Sequence, residues 1–155
     1  LGIAGNKKVI TPVDENFGIV IPKIYANAKV IADVDWKDSQ KYQRALTKGV
    51  AHAQGTSYPG DEGNVFIFAH SSADFYEANR YNAVFYLLDK MEKGDEIDIF
   101  YKGRQYVYQV GDKRIVKATE IKYLDATSGQ KTLTLMTCWP AGTTFKRLVI
   151  VAKEK

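Results

Sequence analysis

The stretch Glu96-Ile97-Asp98-Ile99-Phe100-Tyr101-Lys102-Gly103-Arg104-Gln105-Tyr106-Val107-Tyr108-Gln109-Val110 decides the fold class. Glu96 to Tyr101 alternates with a period of two, which puts Ile97 and Ile99 on one face of a strand. Lys102-Gly103-Arg104 is a short turn, and Gln105 to Val110 alternates again. Two alternating runs around a glycine-containing turn make an antiparallel hairpin.

Outward from that hairpin the same signal repeats. Downstream, Arg114 to Lys117 extends or follows the second strand, and Ile121 to Gln130 is a polar connection placed to cover a site. Thr132 to Thr137 reads as a buried strand, Trp139-Pro140-Ala141-Gly142 must turn, and Leu148 to Ala152 is a second apolar run. Upstream, Val65 to Ala69 has no polar interruption and fits a buried strand or a short core helix. The turn signal Tyr58 to Asn64 in front of it favours strand. Phe17 to Pro22 and Ile24 to Val34 read as two further strands. Ser39 to Val50 and Asn82 to Met91 carry helical spacing. Seven or eight short strands with one or two short helices predict an all-β domain, a closed or nearly closed β-barrel. Residues 1–16, polar and containing Gly2, Gly5 and Pro12, read as an N-terminal arm, and residues 17–155 as one domain.

Composition narrows the partners. The net charge is +4, with Lys and Asp/Glu interspersed. No basic stripe suggests nucleic acid, though a weak preference for anionic surfaces such as cell-wall polymers fits the excess. No apolar run reaches the length of a membrane span. The first residue is Leu1, so an upstream signal or anchor is an expectation. One cysteine excludes an internal disulfide, and a lone thiol in a secreted chain points to a free reactive group.

That thiol, Cys138, ends one strand, faces a turn, and is followed by Arg147 at the start of the next strand. A thiol attacks as thiolate, and an imidazole can take its proton. His70 ends the apolar run Val65 to Ala69, beside a loop, where a barrel places functional groups. His52, between Ala51 and Ala53, reads as a surface or capping histidine. Attack on an amide carbonyl makes an oxyanion, for which Arg147 supplies a fixed charge and several N–H donors. A tight antiparallel connection brings it to Cys138. Thr137 is placed to add a hydroxyl or backbone contact to a substrate, and Trp139 to shape its groove. A lone cysteine is also an ordinary small buried side chain, and an arginine at a strand start an ordinary surface ion pair. One Cys and two distant His lack the ligand spacing that zinc needs. Asp61, Glu62 and Asp112 are the calcium candidates, without an EF-hand loop to support them. The expectation is no metal and no cofactor.

The run Thr134-Leu135-Met136-Thr137-Cys138, followed by Pro140, Gly142 and Arg147-Leu148-Val149, resembles the signature of sortases, the cysteine transpeptidases of bacterial surfaces. Asn64 to His70 resembles the family's histidine strand, and Ile19 to Ile24, Phe85, Leu88, Gly94-Asp95 and Tyr106 to Val110 also resemble it. The likeness runs from about Phe17 to Ala152. It implies an eight-stranded barrel with Cys138 as nucleophile, His70 as acid/base partner and Arg147 as oxyanion and substrate holder. It further implies cleavage of an LPXTG-like C-terminal sorting motif through a thioester. The acyl group then passes to an amine of a peptidoglycan precursor or, in polymerising members, to a pilin lysine. The location implied is the extracytoplasmic face of the cell membrane, reached through an N-terminal anchor. Thr11-Pro12-Val13-Asp14 differs from the Asp-Pro-aromatic lid of the pilin subgroup, which favours the non-pilin subclass. The alternatives are a cysteine hydrolase using water, and a non-catalytic β-barrel binding module.

Overall fold

The structure, a computed structural model, describes residues 10–70, 84–120, 129–140 and 143–155. Its eight strands are β1 (Phe17–Ile21), β2 (Ala26–Val34), β3 (Val50–Ala53), β4 (Gly63–Phe68), β5 (Glu96–Tyr101), β6 (Arg104–Lys117), β7 (Lys131–Trp139) and β8 (Lys146–Glu154). They close into a barrel in the order β1-β2-β3-β4-β7-β8-β6-β5. The all-β reading therefore holds, and closure leaves no open sheet edge among the described strands.

The hairpin read from alternation is β5–β6, with Tyr101 opposite Arg104 and Glu96 opposite Gln109. Lys102 and Gly103 both take positive φ in its turn, as a two-residue hairpin loop requires. Strand β6 runs on to Lys117 along β8, with a shift of register between Val110 and Asp112. Alternation fills the interior. Ile19, Ile21, Ile97, Ile99, Leu133, Leu135 and Ile150 are all fully buried. Each such side chain contributes roughly 1.5–3 kcal/mol of transfer free energy.

Three local readings shift. Helix α1 spans Ser39–Leu46, shorter than the expected Ser39 to Val50, because β3 claims Val50–Ala53. β3 runs parallel to β2, and α1 is the crossover between them. Gly49 marks the change of element: a Cβ there would collide with the backbone carbonyl oxygen of Lys29 on β2. Pro22–Ile24 forms a single 3₁₀ turn, so the second strand starts at Ala26 rather than Ile24. Of the Asn82 to Met91 helix, the described part holds turns and a 3₁₀ turn at Leu88–Lys90. Phe85, Leu88 and Met91 still bury fully.

A fourth correction concerns His52. It is a fully buried strand residue, not a surface or capping histidine. Its partner across β3–β4 is Ile67, so it faces into the barrel. Nδ1 accepts from the Asp33 N–H at 3.0 Å, and Nε2 stands 3.0 Å from the Ser57 carbonyl oxygen and 3.1 Å from Thr56 Oγ1. Asp33 has φ 58° and lies in the irregularity of β2 between Ile31 and Val34. The imidazole thus satisfies a backbone donor that the parallel ladder leaves out. Around it pack Tyr58 (ring centroids 4.5 Å apart) and Phe17 (5.7 Å), with Tyr101 stacked on Tyr58 at 5.5 Å. This aromatic cluster closes the end of the barrel where β1, β4 and β7 begin.

Of the arm, residues 1–9 lie outside the described residues. Its described part is pinned to the barrel: the Val13 N–H donates to Asn27 Oδ1, and Asp14 Oδ1 accepts from the N–H groups of Asn16 and Phe17.

Candidate active site

At the opposite end, where β4 and β7 finish, the strands bring the predicted residues together. β7 and β8 pair antiparallel with Cys138 directly opposite Arg147. Directly opposed side chains share a face, with Cβ atoms about 4.5–5.5 Å apart. Cys138 is half-buried, and it alternates out of the face that carries the buried Leu133, Leu135 and Thr137. The Arg147 guanidinium is steadied from the start of its own strand and the segment before it: Nη1 donates to the Thr144 carbonyl at 3.2 Å and to the Lys146 carbonyl at 3.0 Å. An arginine has five donors, so this tether fixes the fork through one nitrogen.

His70 follows two residues after the end of β4, which runs parallel to β7 with Phe68 opposite Met136. Two further bonds carry that register past the strand end. The Ala69 N–H donates to the Met136 carbonyl at 3.1 Å, and Thr137 Oγ1 donates to the Ala69 carbonyl at 2.9 Å. The residue before the histidine is thus stitched to the two residues before the thiol.

His70, Cys138 and Arg147 line one groove of about 280 Å³. Its floor is the outer face of β4 and β7, where Phe66, Phe68 and Met136 fall on the same alternation as His70 and Cys138. Helix α1 forms a wall through Tyr42, Gln43 and Leu46, and Trp36 lines the groove from the segment before the helix. Tyr42 meets Phe68 edge-on at 6.1 Å. A mostly apolar trough with a few convergent polar groups at one end has the form of a ligand-binding site.

Thr137 is buried, and its hydroxyl is given to the Ala69 carbonyl. Trp139 falls on the opposite strand face from Cys138 and packs against the edge of the core; it is not among the described residues that line the groove. Of the predicted covering loop, residues 121–128 lie outside the described residues, as do Ala141 and Gly142 of the turn after Cys138. Among the described residues no three His, Cys, Asp or Glu side chains gather as metal ligands, and Asp112 Oδ2 is engaged by Arg114 Nε at 2.6 Å. No helix among them is long and apolar enough to cross a membrane.

The groove residues Trp36, Tyr42, Gln43, Phe66, Phe68 and Met136 were not singled out from sequence. The signal for the strand members was present: Phe66 and Phe68 share parity with His70, and Met136 with Cys138. The helical members come from a distant segment and needed the crossover to be placed.

Comparison with known proteins agrees with this geometry. Residues 19–155 match the family described as the sortase domain. Sortase D of Bacillus subtilis (strain 168) is 26% identical over 137 residues, which are 86% of this chain and 61% of that protein. The chain therefore spans less than two thirds of that relative. The crystal structure of sortase C-1 from Actinomyces oris superposes with a TM-score of 0.76 at 28% identity, covering 92% of this chain and 75% of the other. Sortase A from Corynebacterium diphtheriae gives 0.76 at 25% identity, over 90% of this chain and 60% of its own. A family match over all but the first 18 residues, on a closed barrel that sets Cys138 against Arg147, places this chain in the sortase family.

Proposed function

We propose that this protein is a cysteine transpeptidase that cleaves an LPXTG-like sorting motif and transfers the acyl part to an amine. The observation that carries the reading is the direct opposition of Cys138 and Arg147 on β7 and β8, with His70 on the same groove. In the first half-reaction the Cys138 thiolate attacks the threonine carbonyl carbon, forming a C–S bond while the carbonyl electrons move to oxygen. Arg147 N–H groups stabilise that oxyanion. The C–N bond then breaks, the His70 imidazolium protonates the departing amine, and a thioester remains. In the second half an incoming amine attacks the thioester, His70 takes its proton, and the thiolate leaves. This cycle uses only side chains of the chain and calls for no metal or cofactor. The acceptor is the amine of a peptidoglycan precursor or another surface amine, which puts the enzyme at the extracytoplasmic face of the membrane.

The test is incubation with an LPXTG-type peptide, with and without a small amine, read by intact mass. Wild type is expected to gain the mass of the acyl fragment and to pass it to the amine. Cys138→Ala should form no adduct and no product. Arg147→Ala should turn over about 10²- to 10³-fold more slowly. Wild-type turnover by Cys138→Ala would refute the assignment. A product that stays the free acid at saturating amine would favour the hydrolase reading.

A further inference from the structure

Helix α1 contributes one polar contact that the reaction scheme above leaves unused. Gln43 Oε1 stands 2.8 Å from His70 Nε2, joining residues 27 apart in sequence. An amide oxygen only accepts, so Nε2 carries the proton and the lone pair of the neutral ring falls on Nδ1. The helix is set firmly enough to make that contact count. Asp38 Oδ1 caps it by accepting from the N–H groups of Gln40 and Lys41 at 3.1 and 3.2 Å. Ala45 and Leu46 are buried, and Tyr42 rests on Phe68.

We propose that Gln43 is the positioning residue of His70, holding the imidazole in its Nε2–H tautomer and stabilising it when charged. The inference rests on the reading of Cys138 and His70 as thiol and acid/base partner. Its physical content is that the acceptor serves both states of the ring. In the neutral ring it keeps the lone pair on Nδ1, ready for the thiol proton. In the imidazolium Nε2–H remains a donor, and its bond to Oε1 strengthens with the charge. A neutral amide suits the close of the first half-reaction, because the ring must give its proton up to the departing amine. A carboxylate in the same place would hold that proton harder.

The test compares Gln43→Met, which keeps length and removes the acceptor, with Gln43→Glu, which keeps an acceptor and adds charge. Two readouts are taken against pH: kcat and KM for peptide transfer, and the rate at which iodoacetamide alkylates Cys138 without peptide. Gln43 is exposed, and matched thermal midpoints are expected to confirm that both variants fold. For Gln43→Met we expect kcat about tenfold lower with KM nearly unchanged, and slower alkylation at neutral pH. For Gln43→Glu the alkaline limb of the kcat profile should move up by about one pH unit. A Gln43→Met enzyme with wild-type kcat, pH limbs and alkylation overturns the inference. So does one that is faster than wild type, which would mean that Gln43 holds the ring away from sulfur. Cys138→Ala run beside them separates the two levels. If it is dead while Gln43→Met is normal, only the positioning role falls; if it is active, the reading beneath it falls as well.

Discussion

The two histidines occupy opposite ends of one barrel and meet opposite surroundings. His52 sits inside, fully buried, with both ring nitrogens within hydrogen-bond distance of partners from the same end of the barrel. His70 lies just beyond β4, half-buried on a groove that also holds the cysteine and the arginine. The same side chain is a structural plug where the barrel surrounds it and, in the proposed mechanism, a working group where a strand delivers it to an open trough. The difference teaches that strand position, not residue type, decides the role: His52 faces inward opposite Ile67, whereas His70 follows the outward alternation of Phe66 and Phe68.

The comparison breaks most visibly through activity. His70→Ala is expected to lower kcat/KM for peptide transfer by about 10³-fold. Its thermal midpoint should stay near wild type, because the side chain contributes little to the core. His52→Phe should do the reverse. It keeps the ring's bulk and removes both nitrogens, leaving the Asp33 N–H without its acceptor, at a cost of about 2 kcal/mol in chemical denaturation. Its activity per folded molecule should stay within about threefold of wild type, a margin that ~0.65 kcal/mol covers. Equal loss of activity in both variants would erase the distinction.

A pH titration of stability sharpens the same contrast. Burial pushes the His52 imidazolium below its ordinary range near 6.5, outweighing the contacts with Ser57 and Thr56 and the charge of Asp33 that pull the other way. A base whose value is lowered in the folded state binds more protons when unfolded. Its contribution to stability is therefore complete above about pH 6.5 and is lost as pH falls through the lower folded value. Protonating Nδ1 would also break the bond from the Asp33 N–H. Wild type should lose stability between pH 6.5 and 5 more steeply than His52→Phe, measured as denaturant midpoints. Parallel curves would show that some other group carries the acid sensitivity.

Much of this was legible in the sequence, for a local reason. Strict alternation from Glu96 to Val110 is a short-range signal, and it places a hairpin without knowledge of the rest. The Cys138–Arg147 pairing was readable because a tight connection between two apolar runs allows only an antiparallel neighbour. What sequence missed is long-range. Val50 was given to the helix before it and Ala51 to Ala53 to no element, since four residues of β3 carry too little periodicity to compete with the helical spacing of Tyr42 and Leu46. Without β3, His52 had no barrel to face into. Without the crossover, α1 and its Gln43 could not be brought beside a histidine 27 residues away.

The smallest expected effect lies in the stitch that holds the two halves of the site in register. Thr137 is buried one residue before the thiol, and its hydroxyl donates to the carbonyl one residue before His70. Thr137→Val keeps the shape and β-branching of the side chain and removes only that donor. The Ala69 carbonyl then loses a partner, which should cost about 1 kcal/mol of stability. If the bond served the fold alone, kcat would not change. If it sets the approach of His70 to Cys138, kcat should fall by about threefold while KM holds, since small displacements of a proton-transfer partner weaken the transition state more than the ground state. Thr137→Ser, which restores the donor, should recover the rate even though it loses a buried methyl group and its share of stability. Recovery of rate without recovery of stability would separate register from packing. A rate that simply follows stability through both variants would return Thr137 to the ordinary core.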